Sequence, residues 1–340
     1  MDCNVAPSTT YHECNTLTTT RRRRGKGFEY FHLDKEKITS RTYLKRMREL
    51  VVPPMWRDVR ISACQYNKVQ AVGVDGKGKR QYIYHAHWQL AQQQKKFAKL
   101  GEFAAQLPNA RGQCLSLLAE PDWTKDKVCA LGCAILDLTA IRVGNNNYYK
   151  ANETCGLTTL RRKHVDIKDD HVQFSFKGKH AKHREVRIDD TELAELVASS
   201  AEQQGYSLLR YYQQGQWHDL QSDDINEFIH RVFGGHFSAK DYRTWAGTRM
   251  AVRFAHVAAE QVQAHPRRKF KSQLVKLVAK QLGNTANICE QYYIHPKVLE
   301  HLSEHYENEH PFAHFDATPR SLAEELDMDE RHALEIITGR

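Results

Sequence analysis

Residues 125–144 read KDKVCALGCAILDLTAIRVG. Apolar residues run almost all round this segment rather than along one stripe, so it predicts a helix buried on every side within a sizeable core. Arg142 follows that apolar run and stands before GNNNYY, a charge where an amphipathic pattern would not put one. Downstream, GLTTLRRKHVDI, DHVQFSFKG and KHREVRID alternate with period two and predict a compact three-stranded antiparallel sheet. From Thr191 onward the chain reads as helices, among them DDINEFIHRVF, AKDYRTWAGTRMAVRFAHVAAEQV and KSQLVKLVAKQL. The fold class that follows is α+β: a small, mixed, β-rich N-terminal domain and a mostly α-helical second domain carrying a small antiparallel β-sheet.

Upstream, residues 1–25 are polar and Thr-rich and end in Arg21 to Arg24. A block of like charge with no apolar face reads as a disordered basic arm, either a phosphate-binding tail or a solvated terminus. From Phe28 to Ala71, the short apolar stretches YFHLD, VVPPMW and DVRISAC suggest strands and short helices. VQAVGVDGKGKRQYIYH alternates on either side of a Gly-rich turn, the pattern of a β-hairpin. WQLAQQQKKFAKLGEFAAQL carries Leu90, Phe97, Leu100 and Phe103 at helical spacing and is read as stopping at Pro108. That stop puts a boundary in PNARGQ, giving domains at 26–108 and 109–312 and a C-terminal tail at 313–340.

The 340 residues are 41% hydrophobic, enough for one large or two medium domains, with two the starting expectation. Fifty Lys and Arg against 41 Asp and Glu leave a formal charge of +9, which suits a polyanionic partner, whether nucleic acid or an anionic membrane surface. No stretch approaches the roughly 20 apolar residues that span a bilayer, and MDCNVAPSTTYHEC lacks the apolar core of a signal peptide. A soluble, cytoplasmic protein is therefore expected. The eight cysteines are scattered with no CxxC pair and read as small buried hydrophobes in a reducing compartment.

Two motif matches are set aside. GVDGKGKR resembles a phosphate-binding loop in Gly73, Gly78 and Lys79, but Arg80 replaces the Ser or Thr and an alternating strand follows in place of a helix. His301, Glu304 and His305 spell HxxEH, an easy chance match among 19 histidines with no adjacent acidic ligand. His180 and His183 flank a lysine-rich hairpin tip and read as exposed or backbone-contacting.

A stronger constellation is spread over the second half: Arg142, Lys179 in the turn of FKGKHAKHREV, Arg243 in KDYRTW, Asn284 at a helix start, and a tyrosine of LGNTANICEQYYIHP. Such a set can surround one phosphodiester. A phenol ionises near pH 10 and is a weak nucleophile, so attack on phosphorus needs nearby positive charge. Two arginines can grip the non-bridging oxygens and hold the charge that develops on them. A lysine can protonate a sugar oxygen too basic to leave unaided, and Asn284 would add one hydrogen bond. Periodicity leaves open whether Tyr292 or Tyr293 is the one that matters.

At these residues the chain resembles the type IB DNA topoisomerases of the bacterial and poxvirus-like branch, from about Gly25 to about Glu300. GKGFEYF, VVPPMWRDVRI, QAVGVDGKGKRQYIYH, IRVGNNNYYKANETCGLTTLRRKHV, FSFKGKH, KDYRTWAGT and LGNTANICEQYYIHP occur in family order. The resemblance implies that Arg142 and Arg243 are the catalytic arginines, Lys179 the general acid, Asn284 a phosphate contact and Tyr293 the nucleophile. It further implies that Gln81, Tyr82 and Tyr84 face DNA from the N-terminal hairpin, with Tyr148 and Lys240 contacting it from the catalytic domain. Tyr292, where a small residue is usual, and Thr158, where Leu is common, depart from the pattern without removing a catalytic group.

The implied protein relaxes supercoils of both signs through a 3′-phosphotyrosyl intermediate, without ATP, metal or other cofactor. Its partner is double-stranded DNA with no membrane, its state monomeric and its location cytoplasmic and nucleoid-associated. A tyrosine recombinase uses a similar residue set on a related catalytic fold, but usually carries His-x-x-Arg where this chain has Lys240 to Arg243. A non-catalytic architectural DNA-binding protein would leave that set unexplained.

Overall fold

The computed structural model describes residues 17–146, 149–150, 153–168, 171–315 and 320–339. Tyr148, one of the expected DNA contacts, lies outside the described residues. The chain forms two compact units, residues 1–96 and 97–340.

The first unit is built on five antiparallel strands: β1 (Thr19–Arg24), β2 (Gly27–His32), β3 (Arg57–Ile61), β4 (Val69–Val74) and β5 (Arg80–Tyr84). They stand in the order β2-β1-β3-β4-β5. Helix α1 (Arg41–Glu49) brings Met47 into a small core with Tyr30, Ile38, Val59, Ile61 and Ala71. The expected disordered arm is corrected at its basic end, because Arg21 to Arg24 are the last four of the six residues of β1, paired through Gly25 to β2, while residues 1–16 lie outside the described residues. Self-repulsion is overcome by individual partners. Arg21 lies over the Phe28 ring at 4.0 Å and donates to the Val52 and Pro53 carbonyls at 2.8 Å; Arg22 lies over Phe31, and Arg24 pairs with Glu29. The turn between β4 and β5 is closed by Asp75, whose Oδ1 accepts from the amides of Lys77 and Lys79 at 2.9 Å. A carboxylate thus occupies the amides that a phosphate loop would offer.

In the second unit, helices α3 (Leu100–Leu118) and α4 (Lys125–Thr139) form the centre. The sequence reading ended a helix at Pro108; instead α2 (Ala86–Ala98) stops earlier and α3 runs through the proline. An interior proline costs about 3 kcal/mol. Burial of the stripe Phe103, Leu107, Cys114 and Leu118, each worth about 1.5–3 kcal/mol if apolar and fully buried, exceeds that. Helix α4 is buried on nearly every side, as its composition predicts. At Gly132 an added Cβ would lie 2.6 Å from Ile225 Cδ1, so a larger residue there would have to displace the Ile225 side chain.

Strands β6 (Val165–Ile167), β7 (Val172–Lys177) and β8 (His183–Ile188) make the expected antiparallel sheet in the order β6-β7-β8. After α5 (Thr191–Glu202) comes a hairpin that the helical reading missed, β9 (Arg210–Gln213) and β10 (Gln216–Asp219). Its two-residue turn places both Gln214 and Gly215 at positive φ, and Gln at the first of these is a poor sequence signal. Helices α6 (Ser222–Phe233), α7 (Ala239–Arg253), α8 (Ala255–Ala264), α9 (Phe270–Leu282), α10 (Ala286–Tyr292) and α11 (Pro296–Glu307) follow. No described helix is long and apolar enough to cross a membrane.

Within the expected C-terminal tail, α12 (Met328–Thr338) packs on α3, α7 and α11. Its Glu330, fully buried, accepts from Arg111 Nη2 at 2.9 Å, Arg320 Nη2 at 3.1 Å and Trp245 Nε1 at 3.0 Å. Asp137, in the last turn of α4, accepts from Arg111 Nε at 2.7 Å, and Asp329 from Arg249 Nη1 at 3.0 Å. Burial opposes the charge on Asp137, but Arg111 and Arg320 outweigh it and hold the carboxyl down at about 2. The sequence reading missed this because Glu330 in DMDERHALEIIT carries no local sign of the three donors it meets in space.

Glu330→Ala would leave Arg111 and Arg320 short of a buried counter-charge, so a loss of about 3–5 kcal/mol is expected in urea denaturation. Exposed Glu335→Ala, on the same helix, should shift stability by less than about 0.5 kcal/mol.

Candidate active site

Helix α4 ends because Ala140 takes a left-handed conformation, φ 52°, at its C-cap. Two residues later Arg142 emerges on an extended segment pinned to GLTT. The amides of Leu157 and Thr158 donate to the carbonyls of Arg142 and Val143, each at 2.8 Å. A Cβ on Gly156 would lie 2.6 Å from the Arg142 carbonyl oxygen, which explains a glycine at that position.

Arg243 projects from the first turns of α7 and is 4% exposed. Its Nη1 donates to the Ala140 carbonyl and its Nη2 to the Leu282 carbonyl, the C-terminal ends of α4 and α9. Helix α9 closes on Gly283, φ 63°, and Asn284 follows. Asn284 Oδ1 accepts from Arg142 Nη2 at 2.7 Å and from Arg243 Nη2 at 3.4 Å. Because a guanidinium only donates, the amide atom facing both arginines is the oxygen, and Nδ2 points elsewhere. Asn284 Nδ2 and Arg243 Nε are both buried without an acceptor.

Tyr293 caps the C-terminus of α10, its amide donating to the Cys289 carbonyl at 2.9 Å. The Arg243 guanidinium lies 5.2 Å from the centre of the Tyr293 ring. Gly247, one helical turn after Arg243, permits this approach, since a Cβ there would fall 2.3 Å from the Tyr293 carbonyl oxygen. The neighbour Thr248 donates its hydroxyl to that carbonyl at 3.4 Å and accepts the His295 amide at 3.1 Å. Both Tyr292 and Tyr293 are half-buried, but Tyr293 is the one whose ring Arg243 faces.

The structure therefore brings Arg142, Arg243, Asn284 and Tyr293 together. Lys179 sits exposed in the turn between β7 and β8, outside that hydrogen-bond network. Lys240 is exposed on the first turn of α7. In the first unit, Gln81 Nε2 donates to Asp75 Oδ2 at 2.8 Å, while Tyr82 stacks on Tyr84 and Tyr84 on Trp88, with ring centres 5.9 and 4.4 Å apart. Lys68 lies 5.3 Å from the Trp88 ring, completing a flat aromatic and cationic face.

The electrostatics are one-sided. Burial, then the charge of Arg142, lowers the Arg243 pKa to about 10, while Tyr293 opposes the shift. Burial likewise lowers that of Arg142. Neither arginine has a carboxylate partner among the described residues, in contrast to the balanced pairs around Glu330. An arrangement of one buried and one half-buried cation without counter-charge suits a multiply oxygenated anion.

One cation at this site was missed by the sequence reading. Arg184 in β8 is half-buried, donates to the Gln281 carbonyl at 2.8 Å and has its pKa lowered by burial and by Arg142. Its signal was available: in HREVRI it shares a strand face with Val186 and Ile188, a charge where the alternation calls for an apolar residue. His301 and His305 stack on one another along α11, and His305 lies beside Pro311 and Phe312.

Comparison with known proteins gives matches to two family models, to viral relatives and to a solved structure. The family described as "Eukaryotic DNA topoisomerase I, catalytic core" matches residues 85–312, and that described as "Bacterial DNA topoisomerase IB, N-terminal domain" matches residues 27–75. The DNA topoisomerase 1B of Acanthamoeba polyphaga mimivirus is 24% identical over 288 residues, covering 82% of this chain and 86% of that protein. The DNA topoisomerase 1B of Vaccinia virus (strain Copenhagen) is 32% identical over 113 residues, 32% of this chain and 34% of its own length. Among solved structures, the XerH site-specific recombinase bound to a palindromic difH substrate, in a post-cleavage complex, aligns with 60% of this chain and 50% of its own, at 15% identity and TM-score 0.35.

His295, two residues after Tyr293, supplies a pH test. Its ring caps α11 by accepting the Lys297 amide on Nδ1 at 3.2 Å, which requires that nitrogen unprotonated. Burial, and then Lys297, lowers its pKa from 6.5 to about 4. An unfolded chain would take up this proton first, so stability from the neutral ring is complete above pH 6.5 and is lost as pH falls toward 4. Urea midpoints of the wild type should fall across that window more steeply than those of His295→Asn, which caps without titrating.

Proposed function

The chain belongs to the type IB DNA topoisomerase family, and we propose that it relaxes supercoiled duplex DNA by cutting and resealing one strand through Tyr293. The observation that carries this reading is the pair of arginines sharing Asn284 Oδ1 beside Tyr293, with Arg243 Nε and Asn284 Nδ2 left without acceptors. A phosphodiester placed beside Tyr293 offers two non-bridging oxygens to the guanidiniums, which stabilise the charge of the pentacoordinate transition state.

Tyr293 Oη then attacks phosphorus as its proton passes to water. A bond forms between Oη and phosphorus, the bond from phosphorus to O5′ breaks, and Lys179 gives O5′ a proton. The product is a 3′-phosphotyrosyl ester with a free 5′-hydroxyl. The cut strand swivels about the intact one, the 5′-hydroxyl attacks the ester as its proton returns to Lys179, the bond from phosphorus to Tyr293 Oη breaks, and the phenolate takes a proton from water. Because the ester conserves the energy of the broken bond the cycle needs no ATP, and because the guanidiniums and Lys179 supply the positive charge and the proton it needs no bound metal.

Duplex DNA is the partner, engaged by a monomer through phosphate contacts that the charge of +9 favours. Tyr82 and Tyr84 present the aromatic face described above, with Gln81 on the same strand, and Lys240 and Tyr148 contact the backbone from the catalytic unit.

Relaxation of both positively and negatively supercoiled plasmid is expected in EDTA without nucleotide. Tyr293→Phe should abolish both relaxation and the denaturant-trapped DNA adduct, whereas Tyr292→Phe should keep both. An adduct that survives in Tyr293→Phe, or an adduct-linked peptide ending elsewhere, would refute the assignment. Recombinant products from paired sites would mark a recombinase instead. Gly247→Ala, which pushes the Tyr293 backbone away from α7, should slow single-turnover cleavage by about 10²-fold.

A further inference from the structure

Lys179 stands in an exposed turn on a two-stranded hairpin, yet the proposed chemistry needs its ammonium at one oxygen. Something must hold that turn near Asn284. Arg184 is the side chain that spans the distance. It pairs across the hairpin with Phe176, and its aliphatic stem runs beneath Gly178, where an added Cβ would lie 3.0 Å from Arg184 Cγ. The guanidinium continues to α9, donating to the Gln281 carbonyl at 2.8 Å and filling the space beside Gly283, where a Cβ would lie 2.2 Å from Nη1. One side chain therefore touches the residue before Lys179 at one end and the residue before Asn284 at the other. No carboxylate partners it among the described residues.

We propose that Arg184 is a positioning residue that ties the Lys179 turn to the Gly283–Asn284 corner, so that Lys179 meets the leaving oxygen of a phosphodiester held by Arg142, Arg243 and Asn284. The physical reason is entropy: an exposed lysine on a hairpin tip samples many rotamers, and a misplacement of about 1 Å in a reacting group can cost about 10²-fold in rate. The guanidinium reduces that freedom by bonding a carbonyl that the helix end leaves unsatisfied. The proposal rests on the general-acid reading of Lys179 and extends it.

The test compares single-turnover cleavage of two duplexes, one with the natural oxygen at the 5′ bridging position and one with sulfur there. A thiolate leaves without a proton, so only the oxygen substrate needs a general acid. Lys179→Ala should lose about 10²–10⁴-fold on oxygen and approach the wild-type rate on sulfur. Arg184→Met keeps the stem under Gly178 and removes the bond to Gln281. It should lose about 10–10²-fold on oxygen, match the wild type on sulfur, and be largely restored by Arg184→Lys. Equal loss on both substrates would mean that Arg184 acts on the phosphate or on folding, and no loss on oxygen would mean that it is idle; either overturns the proposal. A Lys179→Ala enzyme that stays slow on sulfur would instead remove the reading of Lys179, and the proposal with it.

Discussion

Arg243 is buried between the C-terminal ends of two helices, with the carbonyls of Ala140 and Leu282 as its partners. A buried guanidinium needs either a counter-charge or well-placed acceptors. Here the unsatisfied carbonyls of α4 and α9, at the negative ends of both helix dipoles, serve in place of a carboxylate. The consequence is local but decisive. The cation is held without being neutralised, and its charge stays available to an incoming anion. The same two helix ends lead directly into Arg142 and Asn284, so the bonds that hold Arg243 also fix the chain segments that carry its partners.

Helix α7 carries two opposed faces that treat charge differently. Arg243 and Gly247, four residues apart, face Tyr293; Trp245 and Arg249, also four apart, face the C-terminal helix. On the second face arginines meet Glu330, Asp329 and Asp137 in closed pairs. On the first, among the described residues, arginines meet only carbonyls, an amide and a phenol. A buried network with matched charges is structural by the logic of desolvation, and one with unmatched charge is a site for something absent. The C-terminal segment beyond the catalytic-core match thus braces the helix that delivers Arg243.

Several misreadings of the sequence share a cause. Arg21 to Arg24 looked disordered because local repulsion is visible in one dimension, whereas the Phe28 ring and the Val52 carbonyl that hold Arg21 are not. Pro108 looked like a helix end because its local cost is fixed, while the burial that outweighs it depends on α4 and α6 being alongside. Glu330 and Arg184 were overlooked for the same reason, although Arg184 left a trace as a charge on an apolar strand face. Where periodicity was strong and local, as in the α4 run and the strands around FSFKG, the elements formed as read.

The sequence by itself determined the buried helix, the three-stranded sheet, the hairpin turn at Asp75, and the residue types from which a phosphate site can be made. Those follow from side-chain period and backbone preference, which act within a few residues. Tertiary structure alone decided that Arg142, Arg243, Asn284 and Tyr293 converge, which tyrosine lies against Arg243, and which arginines are neutralised. Convergence depends on where helices end in space and on a glycine at Gly247 that lets one backbone approach another. No local pattern encodes either, because the atoms that meet are up to 142 residues apart in the chain.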